Sequence, residues 1–418
     1  MTTQWDVIVI GGGLAGLAAG ATAAAGGAST LVLEAHRPGG RSRTAERDGF
    51  VFNHGGHALY TGGEGMSVLR ALGVRPTGSP PPLHRYKVLQ DGELHLLPTG
   101  PTSLLRTRAL GTRDKAQLAR LLGLLPRLDA AGLAGVSAGD WLRARDLRPG
   151  ADRVLRALVR LSTYCTDLDR LSADAVVAQL QAAAKSGVLY LDGGWDQLVT
   201  GLGRRVALRS GTAVRTVEDG GPAGFVLDTG DEQLRARAVI VASGGPDAVR
   251  SLLPARPSWP GLGDPVTAAC LDAAVRRVPQ PGYVLGADEP LYATTQSPPA
   301  RQSPEGQAVV AVIRYGARSA VEDRPDCWAH LRRAGVEEAD VVHSRFLARM
   351  LVMGAAPSPA SGGMAGRAAV DDTGTEGVFM AGDWVGPDGL LADAALASGR
   401  SAALSALRHV ERSATMVA

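Results

Sequence analysis

The sequence predicts an α/β protein with a second, α+β portion inserted into it. Three observations lead there. Residues 6–34 read strand, glycine turn, helix, strand. Buried-strand runs recur in the middle of the chain (Val239-Ile240-Val241-Ala242) and near its end (Val378-Phe379-Met380-Ala381). Two proline-rich stretches, 76–82 and 254–265, separate these runs from a helical block and a strand-rich block. Strands alternating with helices imply a parallel sheet, and the interleaving implies that one domain is assembled from three separate pieces.

The first unit is the most specific. A strand over 6–10 enters Gly11, Gly13 and Gly16, and an alanine-rich helix carrying Leu14 and Ala15 runs to about Ala25. A second strand over 30–33 ends at Glu34 and Ala35. This order is what a dinucleotide pyrophosphate needs. Gly11 permits the tight turn, Gly13 lets backbone approach the anion, and Gly16 lets helix and strand pack closely. The free N–H groups at the helix start face the negative charge. Glu34 stands where a carboxylate can accept ribose hydroxyls.

Further along, a strand over 49–53 runs into His54-Gly55-Gly56-His57, and a short helix is expected over 66–72. Alternating runs over 86–90 and 93–97 flank Asp91-Gly92, a strong hairpin signal. From 104 to 186, Leu and Ala recur at three- and four-residue spacing, broken by Gly123, Pro126 and Gly132, which predicts several helices, with Ser137 or Asp140 capping one. A strand over 188–192 leads to Gly193-Gly194-Trp195 and a helix over 197–202. Strands follow over 212–218, 224–228, 236–242, 267–274 and 308–315, with another near Tyr292 to Gln296 and helices over 326–334 and 336–340. A long alanine-rich helix starts at or just before Asp393 and ends near Val410.

Composition narrows the class. The 418 residues are 45% hydrophobic and 20% charged, and the net charge is +3, which gives no case for nucleic acid. Only Lys87, Lys115 and Lys185 are lysines; the remaining basic residues are arginines scattered along the chain. Cys165, Cys270 and Cys327 are far apart and form no Cys-x-x-Cys pair, so neither a disulfide framework nor a metal site is expected, and a reducing cytoplasm suits them. Residues 1–5 do not read as a signal peptide. The apolar stretch 7–25 is too glycine-rich, and too well explained as strand and helix, to be a membrane span.

The segment Glu34-Ala-His-Arg-Pro-Gly-Gly-Arg-Ser-Arg-Thr44 resembles the E-x-x-x-x-G-G-R-x-x-[ST] motif of FAD-dependent amine oxidases, phytoene desaturases and protoporphyrinogen oxidases. The resemblance implies a Rossmann-like FAD-binding domain, with Gly40 and Arg41 against the diphosphate and flavin. Arg offers several donors and a permanent charge there. The run Gly187 to Trp195 is similar to the strand and Gly-Gly turn that returns these proteins from cap to FAD domain, and the strand near Val214 then implies backbone contacts at the adenine. Gly382-Asp383 with Ala392-Asp393-Ala394-Ala395 and Ser398-Gly399-Arg400 resembles the family's closing motif. There the acidic residue approaches the pyrophosphate and ribityl region, and the last helix points its N-terminus at the flavin. No cysteine lies where some relatives attach FAD, so noncovalent FAD is expected. The implied FAD domain comprises 1–75, 190–255 and 360–418. A substrate domain with a helical cap comprises 76–189 and 256–359.

Asn53 to Tyr60 is like a G-x-H loop of the phytoene-desaturase-like branch, near the isoalloxazine ring. Gly55, Gly56 and His57 fall in it, and His57 is the candidate acid–base or substrate-orienting group, with an ordinary pKa near neutrality. Two departures weaken the amine-oxidase reading. The strand over 266–272 lacks the lysine expected near flavin N5, and Leu391 stands where an aromatic residue often forms an amine cage. The expected activity is therefore oxidation or desaturation of a small lipophilic or polycyclic substrate by hydride transfer to flavin N5, with reoxidation by O2 or another acceptor. A flavin amine oxidase and a non-redox or structural FAD protein are the alternatives. The pocket is expected to include Tyr292, Gln296 and Leu391. Membrane association through the cap is possible but not favoured.

Overall fold

The computed structural model describes residues 4–221, 224–253 and 255–417. Residues 1–3, at the start of the expected FAD domain, and Pro254, which opens the second proline-rich stretch, lie outside the described residues.

Strand β1 (Gln4–Ile10), helix α1 (Leu14–Ala25) and β2 (Thr30–Glu34) follow in the order the sequence implies. Next come β3 (Thr44–Arg47), β4 (Phe50–Asn53), β5 (Leu59–Tyr60), α2 (Glu64–Ala71), β6 (Gly78–Ser79), β7 (Lys87–Gln90) and β8 (Glu93–Leu96). Asp91 and Gly92 both take positive φ between β7 and β8, the geometry of a tight hairpin turn. The helical block is α3 (Pro101–Arg106), α4 (Thr112–Leu124), α5 (Ala138–Arg143), α6 (Pro149–Thr163) and α7 (Ala173–Ser186). Ser137 caps α5 by accepting the Asp140 N–H at 3.0 Å.

The chain continues through β9 (Val188–Leu191), α8 (Asp196–Gly203), β10 (Ala207–Ser210), β11 (Thr216–Asp219), β12 (Phe225–Asp228), β13 (Gln233–Val241) and α9 (Pro246–Leu252). It then forms β14 (Val266–Val275), β15 (Tyr283–Gly286), β16 (Leu291–Ser297), β17 (Ala308–Tyr315), α10 (Ala320–Arg333) and β18 (Val341–Met353). It finishes with β19 (Val378–Met380) and α11 (Leu391–Val417).

Two seven-stranded sheets organise these elements. The first runs β10-β2-β1-β13-β12-β11, with β19 also on β13. β10, β2, β1, β13 and β19 are parallel. β13 is forked: Gln233–Ala236 pairs antiparallel with β12, while Val239–Val241 on the same strand pairs parallel with β19. Val7, Ile8 and Val9 are fully buried because helices and loops cover both faces, as a parallel sheet requires. α1 and α11 pack on one face, where a Cβ on Gly399 would stand 2.3 Å from the Ala15 carbonyl oxygen.

The second sheet runs β18-β14-β17-β16-β15-β7-β8 and is antiparallel except for β15 on β7. Alternate residues face opposite sides. Tyr283, Leu285, Tyr292 and Ile313 pack beneath the cap helices. Val284, Leu291, Ala293 and Val312 meet Cys327 and Leu331 of α10 on the other side.

Several expectations need correction. The strand expected from residue 212 begins only at Thr216, because Gly211 turns the chain out of β10 and the Thr212 N–H bonds the Glu34 carbonyl. β3, β10, β15 and β18 were not anticipated. β18 alternates polar and apolar residues imperfectly, since its pairing with β14 slips at three points. α10 begins at Ser319, which caps it, so Pro325 falls in its early turns and the helix is not delayed to 326. The helix expected over 336–340 is a single 3-10 turn, Glu338–Asp340.

Candidate functional site

The parallel strands all finish at one end of their sheet, the usual ligand crevice of such folds. β1 delivers Gly11, β2 Glu34, β13 Ala242 and β19 Gly382, and all four line one cavity of about 1860 Å³. The same cavity continues beneath the cap helices, where Leu104, Leu122, Leu158, Leu161 and Leu180 line it.

The glycine turn divides its labour. Gly11 has φ +108, and a Cβ there would stand 2.6 Å from the Ala242 carbonyl oxygen. A Cβ on Gly16 would stand 1.8 Å from the Gly11 carbonyl oxygen, so Gly16 serves packing and does not line the cavity. A Cβ on Gly13 would meet nothing within 4 Å. Gly13 is also the N-cap of α1, and no side chain caps that helix. Its first N–H groups therefore lack a side-chain acceptor and adjoin open space. The Glu34 carboxylate accepts from Gly12 N at 2.7 Å and from His36 N at 2.9 Å.

The other predicted residues converge on this cradle. Leu14, Ala15, Ala35, Gly40, Arg41 and Val214 line it. Arg41 donates to Asp383 Oδ2 at 2.7 Å and to the Val352 carbonyl at 2.8 Å. The attraction of Asp383 holds the Arg41 pKa above its ordinary value. Asp383 is 1% exposed, accepts a second bond from Gly354 N, and leaves Oδ1 without a partner. The Gly382 backbone is fixed by Ser398, whose Oγ accepts its N–H at 3.0 Å and donates to its carbonyl at 2.8 Å. Ala392 and Ala395 line the cavity at the start of α11, whereas Ala394 is fully buried behind them. Leu391 lines it with φ +57, an unusual conformation for a branched aliphatic residue.

The loop after β4 closes another side. Gly56 and His57 line the cavity; Gly55 does not, and a Cβ on it would stand 2.7 Å from Met350, which does. His57 Nδ1 lies 2.9 Å from the Gly55 carbonyl, so this nitrogen carries the proton, and the ring packs edge-on against Trp195 at 5.0 Å. Burial pushes its pKa down to about 4. The expectation of a histidine titrating near neutrality is thus corrected: His57 is neutral at pH 7 and is suited to hydrogen bonding. Burial also raises Asp393, which lines the cavity too, to about 6, although it accepts the Gly65 N–H at 3.1 Å.

Tyr292 and Gln296 line the cap side. Tyr60, Tyr86, Tyr164 and Tyr190 join them there without having been singled out, because their separation in sequence gave no sign of convergence. No lysine lines the cavity among the described residues, and β14 carries none. The described residues contain no cluster able to hold a metal ion, and their three cysteines are free and buried.

A dinucleotide fits this cradle on the evidence of its own atoms: an open Gly13 face at a helix start, an unpartnered buried carboxylate oxygen on Asp383, and unpartnered Trp195 Nε1 and Ser243 Oγ on its walls. The sequence profile of the family described as flavin containing amine oxidoreductase matches residues 14–407. The chain belongs to that family. It is an FAD-dependent oxidoreductase. Solved structures share the fold along nearly the whole chain. A cyclohexylamine oxidase from Brevibacterium oxydans has a TM-score of 0.69 at 18% identity, covering 98% of this chain and 100% of the other. A putrescine oxidase bound to putrescine gives 0.70 at 19%, with 98% and 100% covered. An oxidoreductase from Methanosarcina mazei gives 0.69 at 17%, with 96% and 99% covered. At these identities the likeness is one of fold. A chloroplastic prolycopene isomerase from Daucus carota is 47% identical over 58 residues, which is 14% of this chain and 9% of that relative.

Proposed function

We propose that this flavoenzyme oxidises or desaturates a small lipophilic or polycyclic organic molecule, with noncovalent FAD as the immediate acceptor. The supporting observation is the single cavity that runs from the nucleotide cradle into an aliphatic space under the cap. Its charged lining residues, Glu34, Arg41, Arg349, Asp383 and Asp393, lie on the cradle, β18 and α11, and none comes from the cap helices. An apolar body would gain about 25 cal/mol for each Å² it buried there.

In this reading the flavin domain comprises 1–75, 190–255 and 360–418, and the substrate domain 76–189 and 256–359. The α1 N-terminus with Gly11, Gly13, Leu14 and Ala15 would bind the pyrophosphate, Gly16 would keep α1 close to β1, and Glu34 with Ala35 would receive the ribose. Val214 would adjoin the adenine. Gly40, Arg41 and Asp383 would hold the diphosphate and ribityl region, and Ala392, Ala394 and Ala395 would bring the start of α11 to the flavin. When bound, FAD supplies a two-electron acceptor for a substrate hydride. Gly55 and Gly56 would shape the loop that carries His57, which orients substrate as a neutral hydrogen-bonding group. Leu391, with Tyr292 and Gln296, would bound the substrate. The cap helices over the cavity would keep water from the reacting carbon. O2 or another acceptor would then reoxidise the flavin.

Amine oxidation is the second reading, and family membership favours it. Against it stand the absence of any lysine from the cavity lining and Leu391 at the start of α11. Anaerobic titration of the purified flavoprotein separates the readings. Bleaching of the flavin band by lipophilic alcohols or cyclic hydrocarbons, and not by amines, is the expected result. Bleaching by amines with imine release would replace this reading with the second. Tight FAD with no bleaching by either donor class would point to a non-redox role for the flavin.

A further inference from the structure

Three tyrosines meet in the cap-side wall. Tyr86 Oη lies 3.0 Å from Tyr190 Oη and 3.0 Å from Tyr292 Oη, and the third edge, Tyr190 to Tyr292, is 3.4 Å. Thr294 Oγ1 joins at 2.8 Å from Tyr190 Oη. Tyr292, Thr294 and Gln296 are alternate residues of β16, so they share one face of the strand, and all three line the cavity. Each of these five residues is at most 6% exposed. The group abuts the loop before His57: a Cβ on Gly56 would stand 3.8 Å from Thr294 Cγ2.

Gln296 breaks the pattern of satisfaction. It is 3% exposed, its Oε1 is buried, and its carboxamide makes no hydrogen bond among the described residues. Buried polar atoms are nearly always paired, and an aliphatic residue would fill a purely structural position at lower cost. The four hydroxyls have one proton each for four mutual contacts, so the ring is closed when nothing is bound. Its long edge is the weakest, and opening it frees one phenol proton for a ligand oxygen. No carboxylate or cationic side chain takes part. Burial also keeps the Tyr86 and Tyr292 hydroxyls protonated by raising both well above their ordinary range.

We propose that the Tyr86–Tyr190–Tyr292 triangle, with Thr294 and the unpaired Gln296 amide, anchors one uncharged oxygen function, a hydroxyl or a carbonyl, on an otherwise hydrocarbon substrate. The amide offers its oxygen to a hydroxyl or, turned over, its NH2 to a carbonyl. This rests on the lipophilic-substrate reading above and narrows it: the substrate carries a single neutral polar end.

The test titrates the flavin-loaded enzyme with naphthalene and with 2-naphthol, reading the shift of the flavin visible band. Wild type is expected to bind 2-naphthol about tenfold more tightly than naphthalene. Tyr292→Phe and Gln296→Leu are expected to reduce that preference, the ratio of the two affinities, severalfold. Gln296 has no hydrogen bond to lose, so its variant serves if Tyr292→Phe fails to fold. No preference in wild type, or an undiminished preference in Gln296→Leu, overturns the anchor. Failure of naphthalene itself to bind overturns the apolar-pocket reading beneath it.

Discussion

Replacing either Gly13 or Gly16 by alanine adds one methyl group to the same turn, with opposite expected consequences. At Gly16 the methyl would stand 1.8 Å from the Gly11 carbonyl oxygen, about 1.5 Å inside an ordinary C···O contact. That oxygen is backbone, and Gly11 is itself wedged against Ala242, so no side chain can move aside. Overpacking of this kind costs about 3 kcal/mol or more. Alanine returns about 1 kcal/mol of helix propensity. The net loss of about 2 kcal/mol or more lowers Tm by roughly 2 °C or more in a chain of 418 residues. At Gly13 the methyl meets nothing within 4 Å, and φ −76 suits alanine. Only N-cap preference is lost, about 1 kcal/mol at most. Thermal unfolding of flavin-stripped protein, followed by circular dichroism, measures the first effect. Flavin retained after dialysis, read from visible absorbance, measures the second. Gly16→Ala should melt early. Gly13→Ala should melt near wild type yet lose FAD affinity by about tenfold or more, as a lost charge-assisted contact would. Wild-type flavin retention by Gly13→Ala would refute the placement of the pyrophosphate, and a wild-type Tm for Gly16→Ala would refute the packing account.

Asp393→Asn should raise Tm at pH 7.5 and leave it unchanged near pH 4. A carboxyl held at about 6 costs stability as pH rises from its unfolded value through 6, by at most about 3 kcal/mol, and Asn keeps the acceptor for the Gly65 N–H. His57 and His330, both pushed down to about 4 by burial, run the other way. Their contribution is full above pH 6.5 and is lost as pH falls toward 4, so His57→Gln should show a shallower acid loss of Tm between those values. The kcat/KM profile should carry no inflection near 6.5 from His57, and one that disappears in His57→Gln would contradict its neutral role. Arg41→Gln should destabilise flavin-stripped protein by about 1–2 kcal/mol, because the buried Asp383 loses its cation, and calorimetric titration with FAD should show weaker binding.

The nucleotide side was legible because its constraints are local. Gly11, Gly13 and Gly16 answer to one turn, and Glu34 follows at the end of the next strand. The motif around Gly382-Asp383 was legible for the same reason, and it included Ser398, although that its hydroxyl fixes Gly382 from sixteen residues away was not readable from the motif. The cap side was not legible. Tyr86, Tyr190 and Tyr292 come together only when β7, β9 and β16 are placed, and no spacing announces a contact between residues a hundred positions apart. β18 was missed because its slipped pairing spoils the two-residue alternation. His57 was found by its loop, but its pKa depends on burial against Trp195, a partner in another segment.

The fork in β13 bears on how the protein is made. One edge of that strand lies against β1, from the first residues, and the other against β19, from residues 378–380. A chain emerging from the ribosome can pair β1 with β2 at once, yet it must hold an open, apolar strand edge through more than a hundred further residues before β19 arrives. On the proposed flavin site, FAD capture would wait for Gly382, Asp383 and the start of α11, which are made after the other segments of the cradle. Ribosome-bound chains halted before residue 378 should bind chaperones and no FAD.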